Sequence, residues 1–152
     1  MNGQPSGHRW PGEQPAGASQ DAPSLFDLTE RLERSLRSRH TGHTWFSEVE
    51  AKMHAYRACL QHHVVAADGE YGWISDLRDG SPRIEPLARR ARDEFRRLDD
   101  AALGVMTSLR GPSRRARDVR HDLRQLIELT RRHRARCARL VHEALAVDIG
   151  VG

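Results

Sequence analysis

An all-α four-helix bundle is the fold this chain predicts, and three observations predict it. Apolar side chains recur at alternating steps of three and four through four separate stretches, the period of one stripe on an α-helix. Aromatic residues make up only 5% and charged residues 30%, a balance suited to helices with wide solvated faces rather than to a sandwich of branched and aromatic side chains. The stretches are joined by short breaks bearing Gly, Pro and Ser. Short links between amphipathic helices favour antiparallel neighbours in up-down-up-down order. At 152 residues the chain is expected to be one domain, long enough to bury a core.

Met1 to Pro23 is rich in Gly, Pro, Gln and Ser and shows no periodicity, so residues 1–23 are expected to be a disordered tail and residues 24–150 the bundle. Trp10 is the tail's one large apolar side chain. Ser24 can cap a first helix over 24–39, with Leu25, Leu28, Leu32 and Leu36 on one side. Gly42 then supplies a stop and Thr44 a new cap. A second helix over 45–67 carries Phe46, Val49, Met53, Tyr56, Leu60, His63 and Ala67 on its stripe, and it closes at Asp68, Gly69 and Gly72. A short amphipathic piece with Trp73, Ile74 and Leu77 follows. Ser81 and Pro82 open a third helix over 82–110, whose stripe runs from Ile84 through Ala91, Phe95, Leu98 and Ala102 to Leu109. After Gly111 and Pro112 a fourth helix spans 113–147. Its stripe includes Val119, Leu123, Leu126, Thr130, His133, Cys137, Leu140 and Val147.

Two histidines on dry stripes of different helices are the chemical anomaly, because a buried imidazole needs partners for both ring nitrogens. Helical bundles use inward His and carboxylate side chains to hold metals. The metal-ligand candidates are His63 and His133, with Asp68, Glu94, Asp99 and Glu143 as the acids near enough to the stripes. Without a metal, the two rings are expected to bond to Tyr56, Thr130 or a trapped water, and His133→Leu is then expected to be tolerated. Cys59 and Cys137 also face the core, which leaves a Cys–His metal site open, although zinc sites of that type usually show tighter local spacing. As unpaired small hydrophobes they point to a reducing compartment, and no signal-peptide-like or membrane-spanning stretch occurs, so a cytoplasmic protein is expected.

The run from Trp45 through "HHVVAADGEYGWISDLRDGSPRIEPLARRARDEFRRLDD" to "RRHRARCARLVHEALAVDIG" resembles bacterial hemerythrin-like (HHE cation-binding) four-helix bundles over roughly residues 25 to 150. That resemblance implies a non-haem di-iron centre that binds or senses oxygen or reactive small molecules. Residue by residue the ligand set is degenerate. His63 and His133 match family histidines and Glu94 the acid of a Glu-His pair, but Ala67, Phe95 and Cys137 to Arg139 stand where further ligands would be, and His40 only ends the first helix. Two histidines with one or two displaced acids would leave a pair of cations undercompensated in a low-dielectric core. The expectation is therefore a hemerythrin-like bundle without a working di-iron centre and without a cofactor. It would be a non-catalytic scaffold, sensor or interaction module. The alternative is an iron-binding oxygen or redox sensor with a reduced site.

A second alternative rests on charge. The net charge is +4 and almost wholly arginine, Lys52 being the sole lysine. Between Ser113 and Val147 ten arginines face four acids, a local excess of +6 that could meet phosphates or an acidic partner. No recognition motif and no interleaved aromatics accompany them, and Glu128 with Arg132 is spaced as an ordinary i, i+4 pair, so nucleic acid is not the favoured partner. A protein partner is compatible with the pattern. No nucleophile elbow, phosphate loop or Cys-x-x-Cys is present, so no enzyme activity is expected.

Overall fold

The computed structural model describes residues 23–69 and 72–149, excluding the side chains of the last three. The tail over 1–23 (but for Pro23), Trp10 and the side chain of Val147 lie outside the described residues. Among those described, every regular element is helical: α1 (Leu25–Arg37), α2 (His43–Asp68), α3 (Trp73–Gly80), a single 3-10 turn at Pro82–Ile84, α4 (Glu85–Arg110) and α5 (Ala116–Ile149).

Helix starts follow local chemistry. Ser24 caps α1 reciprocally: its hydroxyl accepts from the Asp27 N–H at 3.1 Å, and the Asp27 carboxylate accepts from the Ser24 N–H at 3.0 Å. That network holds the Asp27 carboxyl below its ordinary value, the backbone hydrogen bond from Ser24 contributing most. At α2 the expected Thr44 cap is not used. Gly42 is the cap and His43 the first helical residue, while α1 ends against Ser38. The third long helix also begins later than Pro82 suggests, because Pro82 opens a 3-10 turn and α4 proper starts at Glu85 with Pro86 in its first turn. Residues 111–115 form a connection, so α5 begins at Ala116 rather than directly after Pro112. Gly72 is required for close approach: a Cβ there would fall against the Ala67 carbonyl where the chain turns from α2 into α3.

The four long helices touch in a ring, α1 with α2, α2 with α4, α4 with α5, and α5 with α1. Chain order reverses across each of the first three contacts. Ser35 meets Lys52 while Pro23 meets Cys59; Glu50 meets Arg110 while Arg57 meets Asp99; Ser108 meets Asp122 while Glu94 meets Arg136. The stripes meet inside this ring. Leu32, Val49, Met53, Tyr56, Ala91, Ala102, Leu123, Leu126 and Leu140 are fully buried, and Ile74 of α3 and Ile84 are buried with them. Each Leu or Ile so placed contributes roughly 1.5–3 kcal/mol.

Most buried polar side chains are paired, Glu85 Oε2 being a buried oxygen without a partner. The Trp45 indole N–H donates to the Ser35 carbonyl at 3.0 Å, and the Lys52 ammonium donates to the Ser35 hydroxyl at 2.7 Å. Thr130 donates its hydroxyl hydrogen to the Leu126 carbonyl at 2.8 Å, so the Tyr56 hydroxyl donates to Thr130 at 2.7 Å. Burial pushes the Tyr56 phenol above its ordinary value. No helix among the described residues is long and apolar enough to cross a membrane.

Candidate metal centre

His63 on α2 and His133 on α5 meet inside the ring, as their stripes require, with Nε2 facing Nε2 at 3.4 Å. His62, one residue and about 100° of helix away from His63, is exposed. Cys137 lies one turn after His133 on the same face of α5 and brings its Sγ to 3.4 Å from His133 Nε2. The ligand atoms of His63, His133 and Cys137 all lie within 4.8 Å of one another. His133 is 2% exposed; His63 and Cys137 are half-buried.

Glu94 on α4 fixes the proton arrangement. Its Oε2 is 3.1 Å from His133 Nδ1. A carboxylate only accepts, so Nδ1 carries the hydrogen and, in the neutral ring, Nε2 presents a lone pair to His63 and Cys137. The other oxygen of Glu94 accepts from Arg136 Nε at 2.6 Å. Burial by itself would raise the Glu94 carboxyl, but the hydrogen bonds from His133 and Arg136 and their charges outweigh it, and the group titrates below its ordinary value. Desolvation, helped by the neighbouring His133, lowers His63 to about 4. Burial, with the Glu94 charge adding and Arg136 opposing, pushes the Cys137 thiol up to about 12. The resting cluster therefore holds a neutral His63 and a protonated thiol, both able to donate toward the single lone pair of His133.

Phe95 forms the wall. Its ring centroid lies 4.7 Å from that of His133 and 5.6 Å from that of His63, and the two imidazoles stand nearly perpendicular to each other. The Phe95 ring thus packs against both imidazoles at the position where the resemblance would place a further ligand.

The remaining candidate acids do not join the cluster. Asp68 is paired with Arg92, Asp99 with Arg57 at 3.2 Å, and Glu143 with Arg139 at 2.6 Å. Helix phase accounts for this. Asp68 and Asp99 each sit five residues beyond a cluster residue, His63 and Glu94, and five residues rotate a side chain by about 140° away from the shared face. Glu143 is ten residues beyond His133, about 15 Å along the axis. Tyr56 and Thr130, expected as partners for the rings, bond to each other instead. Of the two cysteines that left a Cys–His site open, Cys137 joins the histidines, through its i+4 spacing from His133 on one stripe, and Cys59 does not. Arg136, which holds Glu94, carried no such signal.

The arginines of α5 are largely occupied. Arg120 donates to the Leu36, Ser38 and His40 carbonyls at 2.5, 2.6 and 3.1 Å and lies over the Trp45 ring. Arg114 and Arg134 stack on Phe46 and Phe26. Arg117, Arg131, Arg132, Arg136 and Arg139 each meet a carboxylate. Comparison with family models, with curated proteins and with solved structures finds no match for this chain.

Proposed function

We propose that this chain is a non-catalytic bundle of the hemerythrin-like kind, wound up-down-up-down, that works without a dinuclear iron centre as a sensor or interaction module. The observation that carries this reading is the wall of Phe95 against both imidazoles, combined with the arginine pairing of Asp68, Asp99 and Glu143. A dinuclear carboxylate site needs acids from several helices converging on one point. Here one acid approaches, and it is committed to His133 and Arg136. The reversed chain order across successive contacts supports the antiparallel winding.

The cluster still ties α2, α4 and α5 together through polar groups, which makes it the element by which a small ligand could change the packing of three helices at once. Two free cysteines suit a reducing compartment, and we place the protein in the cytoplasm on that ground. The nucleic-acid reading is weakened because Arg114, Arg120, Arg131, Arg134 and Arg136 are engaged with other elements, which leaves mainly exposed local pairs such as Arg132 with Glu128.

Iron content decides the reading. Protein expressed in iron-rich medium and purified without chelator is expected to carry no paired iron and no absorption from an oxo-bridged pair. A stoichiometric pair of irons per chain would overturn it.

A further inference from the structure

We propose that His63, His133 and Cys137 form a mononuclear site for one thiophilic d10 cation of the zinc class, with Glu94 holding His133 in the ligating tautomer. The proposal rests on the reading that this core has no dinuclear centre, and it adds a ligand to that reading.

Two edges of a tetrahedral face are already in place. With zinc bonds of about 2.0–2.1 Å to nitrogen and about 2.3 Å to sulfur, two ligand nitrogens on one ion stand about 3.3 Å apart and a nitrogen and a sulfur about 3.6 Å apart. The His63–His133 nitrogen pair and the His133–Cys137 pair both stand at 3.4 Å. The third edge, between His63 and Cys137, lies within the same 4.8 Å span. An ion over this triangle draws the His63–Cys137 edge in toward about 3.6 Å.

The second requirement is an oriented imidazole. Ligating histidines almost always donate their other N–H to a carboxylate or carbonyl, and that partner is what Glu94 supplies at 3.1 Å. Arg136 neutralises the same carboxylate, so Glu94 is a positioning residue rather than a ligand. On binding, the ion takes the place of the thiol hydrogen of Cys137, which leaves to solvent, and His63 adopts the tautomer with its hydrogen on Nδ1. Two imidazoles and one thiolate form a donor set of intermediate softness, which disfavours the hard oxygen-seeking cations. His63 and Cys137 are only partly buried, which gives the ion a way in.

The test uses the reduced full-length chain, first stripped with chelator, then titrated with cobalt(II) and challenged with zinc(II). The expected result is one cobalt per chain, a thiolate-to-cobalt charge-transfer band in the near ultraviolet, and displacement of that band by zinc. Cys137→Ala is expected to abolish the band, and Cys59→Ala to retain it. Glu94→Gln is expected to weaken affinity by about ten- to a hundredfold while leaving the band in place, a pattern that a purely structural role would not produce. A folded, reduced wild-type chain that develops no thiolate band overturns the proposal whatever the variants do, and so does a band that survives in folded Cys137→Ala. Binding of paired iron would instead sink the reading on which the proposal stands, so the two failures look different.

Discussion

His133 shows how far a single side chain depends on its neighbours. Taken as a lone buried polar group it should be replaceable by leucine, but in the structure it satisfies one oxygen of Glu94 and turns its other ring nitrogen to His63 and Cys137. His133→Leu leaves a part-buried carboxylate with Arg136 as its remaining partner. A loss of about 1–3 kcal/mol is expected, read as a lower urea midpoint. The same cluster sets an acid response in the chelator-stripped protein. Burial lowers His63 from its ordinary 6.5 to about 4 in the folded chain, so as pH falls below 6.5 the unfolded chain takes the proton first and stability declines, by about 3 kcal/mol in all once pH 4 is passed. Glu94 acts in the same direction from its ordinary value of 4.5 downward: its carboxylate favours the fold above that pH, and the contribution is lost as pH falls through the lower folded value. Melting temperatures should therefore drop from pH 7 to pH 4, and His63→Leu should flatten the curve between 6.5 and 4 while leaving the steeper acid limb.

Within helices, the apolar stripes were legible and the ends less so. The Ser24 cap of α1 was readable because both halves of the reciprocal bond lie within three residues. Ser24→Ala should cost about 1 kcal/mol. The far end of α1 was not readable, since its carbonyls are capped by Arg120, more than eighty positions away in sequence. That side chain combines charge-assisted hydrogen bonds with stacking on buried Trp45. Arg120→Ala should accordingly destabilise by about 2 kcal/mol, whereas Arg117→Ala, whose side chain is 86% exposed, should stay within about 0.5 kcal/mol. Thermal denaturation of the two variants side by side distinguishes a capping arginine from a solvated one.

For the molecule as a whole, the arginine excess serves internal ends before external ones. Guanidinium groups clamp α5 to α1 through Glu33, to α4 through Glu94, and to the aromatic rings of Phe26, Phe46 and Trp45. A phosphate-binding face would need such groups free, and each phosphate neutralised would add to the salt dependence of binding. The chain is therefore expected to show no salt-sensitive retention on duplex DNA or RNA at physiological ionic strength. Tight retention that collapses as salt rises, and that is weakened by charge reversal at Arg131 and Arg132, would count against this assignment of the arginines.

Helix number, the inward faces and the presence of both histidines in the core were determined by sequence alone, because periodicity is a local property and every apolar stripe must find cover. His63, His133 and Glu94 could be named on that basis. Their company could not. Whether Asp68, Asp99 or Glu143 reaches the histidines depends on the relative rotation and axial offset of packed helices, and a turn of about 100° per residue makes that choice all-or-none. Packing placed Asp68 and Asp99 beside Arg92 and Arg57, brought His63 to His133, and set Phe95 against both rings, whereas Arg139 with Glu143 and His133 with Cys137 are i, i+4 neighbours on α5. A ligand set is a relation among helices, and it is fixed only when the helices meet.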